Sequence, residues 1–262
     1  MLLSSRKAIT TPVVICACIL GVGLIQFSEL QKLINRKQSA SLETLEKEIK
    51  SENVRLKFFK EIPSFSYNNF IADLVYLNFL QYFGDDEVRD KTGYSLSPEY
   101  FEIILKCDPR FLAAYRSLSV STSLYAAMPE RAIALSEKGL KSLSASVPDK
   151  SYYVWRYKGV DELLFLGDAK AAQKSFAMAA NWASKFSDVE SQMIANTSQR
   201  TAEFLSRNPN SKYAQISTWA IVLSNQVDER TRKRAIREIE ALGGKVITTP
   251  EGTNKIIFPP KD

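Results

Sequence analysis

The side chains of this 262-residue chain that could do chemistry are few and thinly grouped. There is no histidine, which removes Ser-His-Asp and Cys-His nucleophile pairs, histidine zinc sites and a histidine pH switch. Carboxylates and lysines can still catalyse, so a histidine-free hydrolase or transferase stands as an alternative reading. Cys16 and Cys18 lie in an apolar stretch and Cys107 is alone in the remainder, so the folded part can build neither a disulfide nor a thiolate metal site. Asp85-Asp86-Glu87 has calcium-ligand chemistry without the alternating spacing of an EF-hand loop, and reads as a solvated loop. Arg230-Thr231-Arg232-Lys233-Arg234 with Arg237 reads as the solvated face of an amphipathic helix among Asp228, Glu229, Glu238 and Glu240; contact with an anionic membrane is the sharper alternative. Tyr152, Tyr153, Trp155 and Tyr157 cluster, but alternate members would face a core. Asn196-Thr197-Ser198 fits a glycosylation sequon. No glycine-rich phosphate loop or paired-carboxylate arrangement stands out. The expectation is a protein that is not an enzyme, with no cofactor, no metal and no small-molecule substrate.

The elements that would position these side chains are set by a repeat. Forty residues separate Tyr115 from Trp155, Ser119 from Gly159, Tyr125 from Phe165, Ala132 from Ala172 and Gly139 from Ala179. One offset that preserves aromatic, small, aromatic, small, small predicts a duplicated helical hairpin. Repeats of this length are stacked units that bury a core only together.

A second signal lies near the start. Ala8–Phe27 is twenty residues without a charge; as a helix it would span roughly 30 Å, the thickness of a bilayer's hydrocarbon core. Residues 1–37 hold Arg6, Lys7, Lys32, Arg36 and Lys37 against Glu29 alone. The rest of the chain is nearly balanced, with 30 basic and 28 acidic side chains. The basicity therefore flanks the apolar segment, where lipid headgroups would meet it, and the domain lacks the overall basic excess of a nucleic-acid binder. Arg6 and Lys7 on one flank nearly balance Lys32, Arg36 and Lys37 on the other; basic residues on so short a tail favour keeping it in the cytoplasm, so the expectation leans to a domain on the non-cytoplasmic side.

The predicted organisation is all-α: a tail over 1–7, a transmembrane helix over 8–27, a connecting helix over 28–62, a helical-hairpin repeat domain over 63–227, and a C-terminal helix and small β-hairpin over 228–262. In the connecting helix Leu42, Leu45 and Ile49 form an apolar stripe expected to dock on the repeats, and Ile62-Pro63 ends it. The first hairpin runs over 67–83 and 99–107, with Ser97-Pro98 as the cap and a long loop over 84–96. The second covers 111–127 and 129–143, the third 152–166 and 169–186. Helices over 189–207, 211–226 and 229–242 follow. Val246-Ile247-Thr248 and Lys255-Ile256-Ile257-Phe258 flank Pro250-Glu251-Gly252-Thr253 as two strands and a turn.

The hairpins resemble tetratricopeptide repeats. Trp155 and Gly159 sit at the large-aromatic and small positions of a first helix, Gly167-Asp168 at the turn, and Ala172, Phe176 and Ala179 in the second-helix pattern. Tyr115, Leu118, Ser119, Ala132, Ile133, Gly139 and Leu140 do the same one repeat earlier, and Leu105-Lys106-Cys107-Asp108-Pro109 looks like a closing segment. Each middle hairpin is one residue longer than the family's usual spacing. The resemblance covers roughly 67–186 and implies an adaptor whose concave groove binds a segment of another protein. Carried over residue by residue, it puts Arg116 and Arg156 in the same inward-facing slot of successive repeats, about 10 Å apart, with Val120, Ser123, Tyr153 and Val160 lining the same surface. Two arginines there would suit acidic side chains. The expected function is a membrane-anchored scaffold for assembly or maintenance of a membrane protein complex. A structural subunit oligomerising through residues 38–60 is a further alternative.

Overall fold

The structure, a computed structural model, describes residues 20–24, 26–27, 41–61, 63, 66–225, 227–248 and 254–262. The expected membrane segment 8–27 lies largely outside them, as do residues 28–40 of the connecting helix and 249–253 of the C-terminal turn. Among the described residues no helix is long and apolar enough to cross a membrane. The chain divides into two units, residues 1–49 and 50–262.

The described part of the first unit includes the start of α1 (Leu42–Glu61). Ser41 begins it: its Oγ accepts the Thr44 N–H at 3.3 Å and its carbonyl the Leu45 N–H at 3.1 Å, satisfying amides that have no partner within a first turn.

The second unit is mostly helical and ends in a small two-stranded antiparallel sheet. Its elements are α2 (Asn68–Phe83), α3 (Asp86–Thr92), α4 (Ser97–Cys107), α5 (Leu112–Leu118) running into a π-helical segment (Ser119–Tyr125), α6 (Pro129–Leu140), α7 (Tyr152–Phe165), α8 (Ala169–Ala183), α9 (Val189–Arg207), α10 (Lys212–Ser224), α11 (Glu229–Ala241), β1 (Lys245–Thr248) and β2 (Asn254–Ile257). Helices α2 and α4, α5 with its π segment and α6, α7 and α8, α8 and α9, and α10 and α11 are packed pairs. Starts are marked by acids and hydroxyls: Asp168, Asp188, Ser211 and Asp228 each accept a backbone N–H three residues on.

The forty-residue period reappears in the backbone. Helices α6 and α8 begin at Pro129 and Ala169. Before them Ala127 and Gly167 both turn through positive φ, 57° and 66°, and Met128 N–H to Thr122 O and Asp168 N–H to Glu162 O, both 2.9 Å, close the two turns alike. Bonds between successive first helices follow the same spacing: Tyr76 to Ser117 is 41 residues apart, Ser119 to Asp161 is 42, and Arg156 to Ser198 is 42. Helices α2, α5, α7 and α9 therefore lie in a row. Close approach depends on small side chains; a Cβ on Gly139 would stand 1.9 Å from the Tyr115 hydroxyl, which itself donates to Pro109 O at 2.6 Å.

Two local expectations are corrected. The 84–96 stretch is not an open loop: it contains α3, with Asp86 and Glu87 in its first turn and Arg89 and Lys91 in its last, the charge order a helix dipole favours. Helix α4 starts at Ser97, after Leu96, so Ser97 is inside the helix and not its cap. The second half of α1, from Lys50, runs beside α4. Lys60 Nζ reaches Glu99 and Glu102 at 2.5 and 2.6 Å, Arg131 joins Glu99 at 2.6 Å, and Tyr100 donates to Glu52 at 2.6 Å.

The core continues through an α7–α10–α11 cluster of Leu164, Ile216, Trp219, Val222, Leu223, Ala235 and Ile239. Val246 and Ile256 pack against it, which is how two strands too few to stand alone are held. The C-terminus is tied to the start of α10: Asp262 accepts from Ser211 Oγ at 2.6 Å and from the Tyr213 N–H at 2.9 Å.

Candidate functional site

Three first helices of the row enclose a groove of about 520 Å³. Helix α2 contributes Tyr76, Phe79, Leu80 and Phe83; α5 and its π segment contribute Leu112, Ala113, Arg116, Ser117 and Val120; α7 contributes Tyr153, Val154 and Tyr157. Tyr76 and Ser117 hydrogen-bond at 2.9 Å between α2 and α5, and Tyr76 meets Phe111 edge-on at 4.8 Å. On the α7 wall Tyr153 and Tyr157 stack at 5.9 Å, and the Tyr153 hydroxyl donates to Glu190 at 2.7 Å. The walls are apolar and aromatic. The charged group in the lining is Arg116, which is exposed and makes no ion pair or hydrogen bond among the described residues.

The residues expected to line one surface divide between this groove and its surroundings. Arg116, Val120 and Tyr153 share the groove. Arg156 turns to α9, donating to Ser198 Oγ at 3.1 Å and Thr197 Oγ1 at 3.3 Å. Val160 packs against the Leu163, Ala172, Phe176 and Leu205 cluster. Ser123 is fully buried in the π segment. The α2 wall was not foreseen, although α2 carries a single charge, Asp73, in sixteen residues. Ala72, Val75 and Phe79 of α2 are buried, whereas Phe70, Leu74, Leu77 and Leu80 are exposed.

Behind the groove lies a buried polar cluster. Asp161 is 1% exposed and accepts a 2.7 Å hydrogen bond from Ser119 Oγ; its Oδ2 has no hydrogen-bond partner among the described residues. Ser123 stands beside the carboxyl without completing a bond of normal geometry. Burial pushes the Asp161 pKa up to about 7, against the pull of the serines and aided by the Glu162 charge. Next to it Glu162 is held by Lys158 and by Ser175 Oγ at 2.6 Å, with Lys158 also 3.3 Å from Glu137. Both Lys158 and Glu162 are buried. The π segment also supplies Ser121 and Thr122, whose buried hydroxyls have no hydrogen-bond partner among the described residues. The Ser119-to-Ser123 run and the Asp161-Glu162 pair in an otherwise apolar hairpin were the available signals in the sequence.

A π turn inserts one residue into a helix and is often found at functional positions. In the second hairpin the π segment offers carbonyls to a neighbouring helix: Arg234 Nη1 caps Ser123 O and Leu124 O at 3.2 and 3.3 Å. The same guanidinium lies 5.2 and 5.6 Å from the Phe165 and Trp219 ring centroids.

In comparisons with known proteins, no family model matches this chain, and neither a curated protein nor a solved structure does.

Proposed function

We propose that the protein is a membrane-anchored adaptor, tetratricopeptide-like in organisation, whose α2–α5–α7 groove holds a segment of a partner protein during assembly or maintenance of a membrane complex. The observation that carries this reading is the groove itself: aromatic and aliphatic walls from three successive first helices, with one unpaired arginine in the lining. Its volume falls in the range of pockets that bind ligands. The walls suit a few apolar or aromatic side chains, and Arg116 suits an adjacent carboxylate, which it can grip through two parallel N–H groups. The lining contains neither a carboxylate nor a lysine, the groups that a hydrolase or transferase would need there. Anchoring rests on the uncharged Ala8–Phe27 segment.

The reading is tested by placing a photo-crosslinking amino acid at Leu80 or Val120 in the full chain and irradiating intact membranes. A single defined partner is expected, and Arg116→Glu should lower its recovery at least tenfold while leaving the fold unchanged. Crosslinks scattered over many proteins, or a yield indifferent to Arg116→Glu, would overturn the groove assignment. Release of the chain from membranes by alkaline carbonate would overturn the anchor separately.

A further inference from the structure

The C-terminal ribbon combines two kinds of side chain on one exposed face. The antiparallel register pairs Lys245 with Ile257 and Ile247 with Lys255, so the pleat puts these four on one side and Val246 and Ile256 on the other. Val246 and Ile256 cover the Trp219 cluster. The other four are all exposed, with Ile247 at 48%, Ile257 at 43% and the following Phe258 at 40%. A sheet with one solvated face usually places polar residues there. Here isoleucine and lysine alternate along each strand and across the pair.

Helix α11, which packs on β1, carries matching charge. Arg230, Lys233, Arg234, Ile236 and Arg237 line a shallow groove of about 650 Å³ that includes no carboxylate. Arg234 is committed inward to the π segment. Lys233 approaches Glu229 only to 3.6 Å and is 73% exposed, and Arg237 has no ion pair among the described residues. Burial, together with the Arg237 charge, holds the Arg234 guanidinium below its usual pKa against the pull of Glu238 and Glu130. Outside residues 1–37 the chain is almost charge-balanced, so these cations are locally concentrated.

We propose that α11 and the β1–β2 ribbon form a docking surface for an anionic lipid membrane, with Lys233, Arg237, Lys245 and Lys255 meeting headgroup phosphates and Ile247 and Ile257 entering the headgroup–acyl boundary. The isoleucines decide between lipid and an acidic protein segment. A polyanionic peptide would satisfy the lysines and leave two aliphatic side chains in water, whereas a bilayer interface accepts both. The surface does not require residues 8–27 to span the bilayer, so it and the anchor can fail independently.

The test uses the full chain in vesicles of phosphatidylcholine alone, or of phosphatidylcholine and phosphatidylglycerol in equal parts, with amide hydrogen exchange followed over residues 229–258. Slower exchange is expected in the anionic vesicles only, and high salt should reverse it. Each cation at an anionic surface contributes roughly fivefold, so Lys233→Glu, Arg237→Glu and Lys255→Glu together should reduce protection on the order of a hundredfold. Ile247→Asn with Ile257→Asn should keep the salt-sensitive response of α11 and lose the protection of the ribbon. Equal exchange in the two vesicle types overturns the proposal. Full protection of the isoleucine variant in anionic vesicles would overturn the insertion of Ile247 and Ile257, and equal protection by soluble polyglutamate would assign the surface to an acidic protein segment and discard the lipid.

Discussion

Asp161 should make the stability of the helical unit depend on pH in a direction opposite to ordinary acid denaturation. Its carboxyl titrates near 3.8 when solvated and is pushed up to about 7 in the fold, chiefly by burial. A group whose pKa is raised by folding contributes stability that is complete below the unfolded value and is lost as pH rises through the folded one. The window is therefore about pH 4 to 7, above which the buried carboxylate is ionised and the loss is complete. Each pH unit of displacement is worth about 1.4 kcal/mol, so the full loss is about 4 kcal/mol. Asp161→Asn keeps an oxygen to accept from Ser119 and removes the ionisation. At pH 8 the variant should be more stable than the natural chain by about 2–4 kcal/mol, the lower figure allowing for an amide N–H that finds only a poor partner. At pH 4 the gain should be absent, and the variant should be less stable by whatever the amide costs, up to about 2 kcal/mol. Guanidinium unfolding followed by fluorescence of Trp155, Trp182 and Trp219, at pH values from 4 to 9, measures the difference directly. Parallel stability curves for the two proteins would refute the burial of a titrating Asp161, because every other ionisation is common to both.

Gly139→Ala should destabilise by about 1–3 kcal/mol, since the added methyl collides with the Tyr115 hydroxyl and a packed interface has no slack to absorb it; thermal unfolding checks this, and pairing it with Tyr115→Phe should recover part of the loss. Arg234→Met removes the donor to Ser123 O and Leu124 O and the cation above two aromatic rings, and should cost about 1–3 kcal/mol, with exchange accelerated first in the π segment. Lys60→Met leaves Glu99 and Glu102 without the ammonium that bridges them. Burial would raise the Glu99 pKa, but bonds from Lys60 and Arg131 outweigh it and hold it low. The natural chain should therefore lose stability as pH falls below about 4.5, the solvated value, and the variant should lose less over the same acid range by chemical denaturation.

The sequence made the helical hairpins legible because the constraint that creates them is local and repeated. Tyr115 requires a glycine opposite it, and the turns before Pro129 and Ala169 are closed alike forty residues apart, so the spacing records the backbone twice. The small C-terminal strands were equally readable from a change of period at Lys245. What could not be read were features decided by a neighbour distant in sequence. The Asp85-Asp86-Glu87 run stands at the start of a helix, where its charges suit the dipole. The π segment left no mark in the spacing, since the next hairpin has the same length and a regular α-helix there. The buried Asp161 depends on Ser119 from another helix, 42 residues away.

Arg116 and Arg156, forty residues apart, meet different partners. Both follow the aromatic residue of their first helix, Tyr115 and Trp155, by one position. From Arg156, a step of 41 or 42 residues along the row reaches Thr197 and Ser198, two hydroxyls that accept from its guanidinium. The same step from Arg116 reaches Tyr157 and Lys158. Tyr157 presents a ring to the groove, and Lys158 is a cation already buried against Glu162 and Ser175. Neither neighbour supplies an acceptor equivalent to Thr197 and Ser198, so Arg116 stays free while its counterpart is consumed in holding α7 to α9. This asymmetry predicts the effect of exchanging the partners. Tyr157→Thr should place a hydroxyl at the position that Thr197 occupies for Arg156, draw Arg116 onto α7, and lower partner recovery in the groove crosslinking assay without removing the charge. Undiminished recovery, with the fold intact, would mean that Arg116 acts only through its field and not through a directed contact.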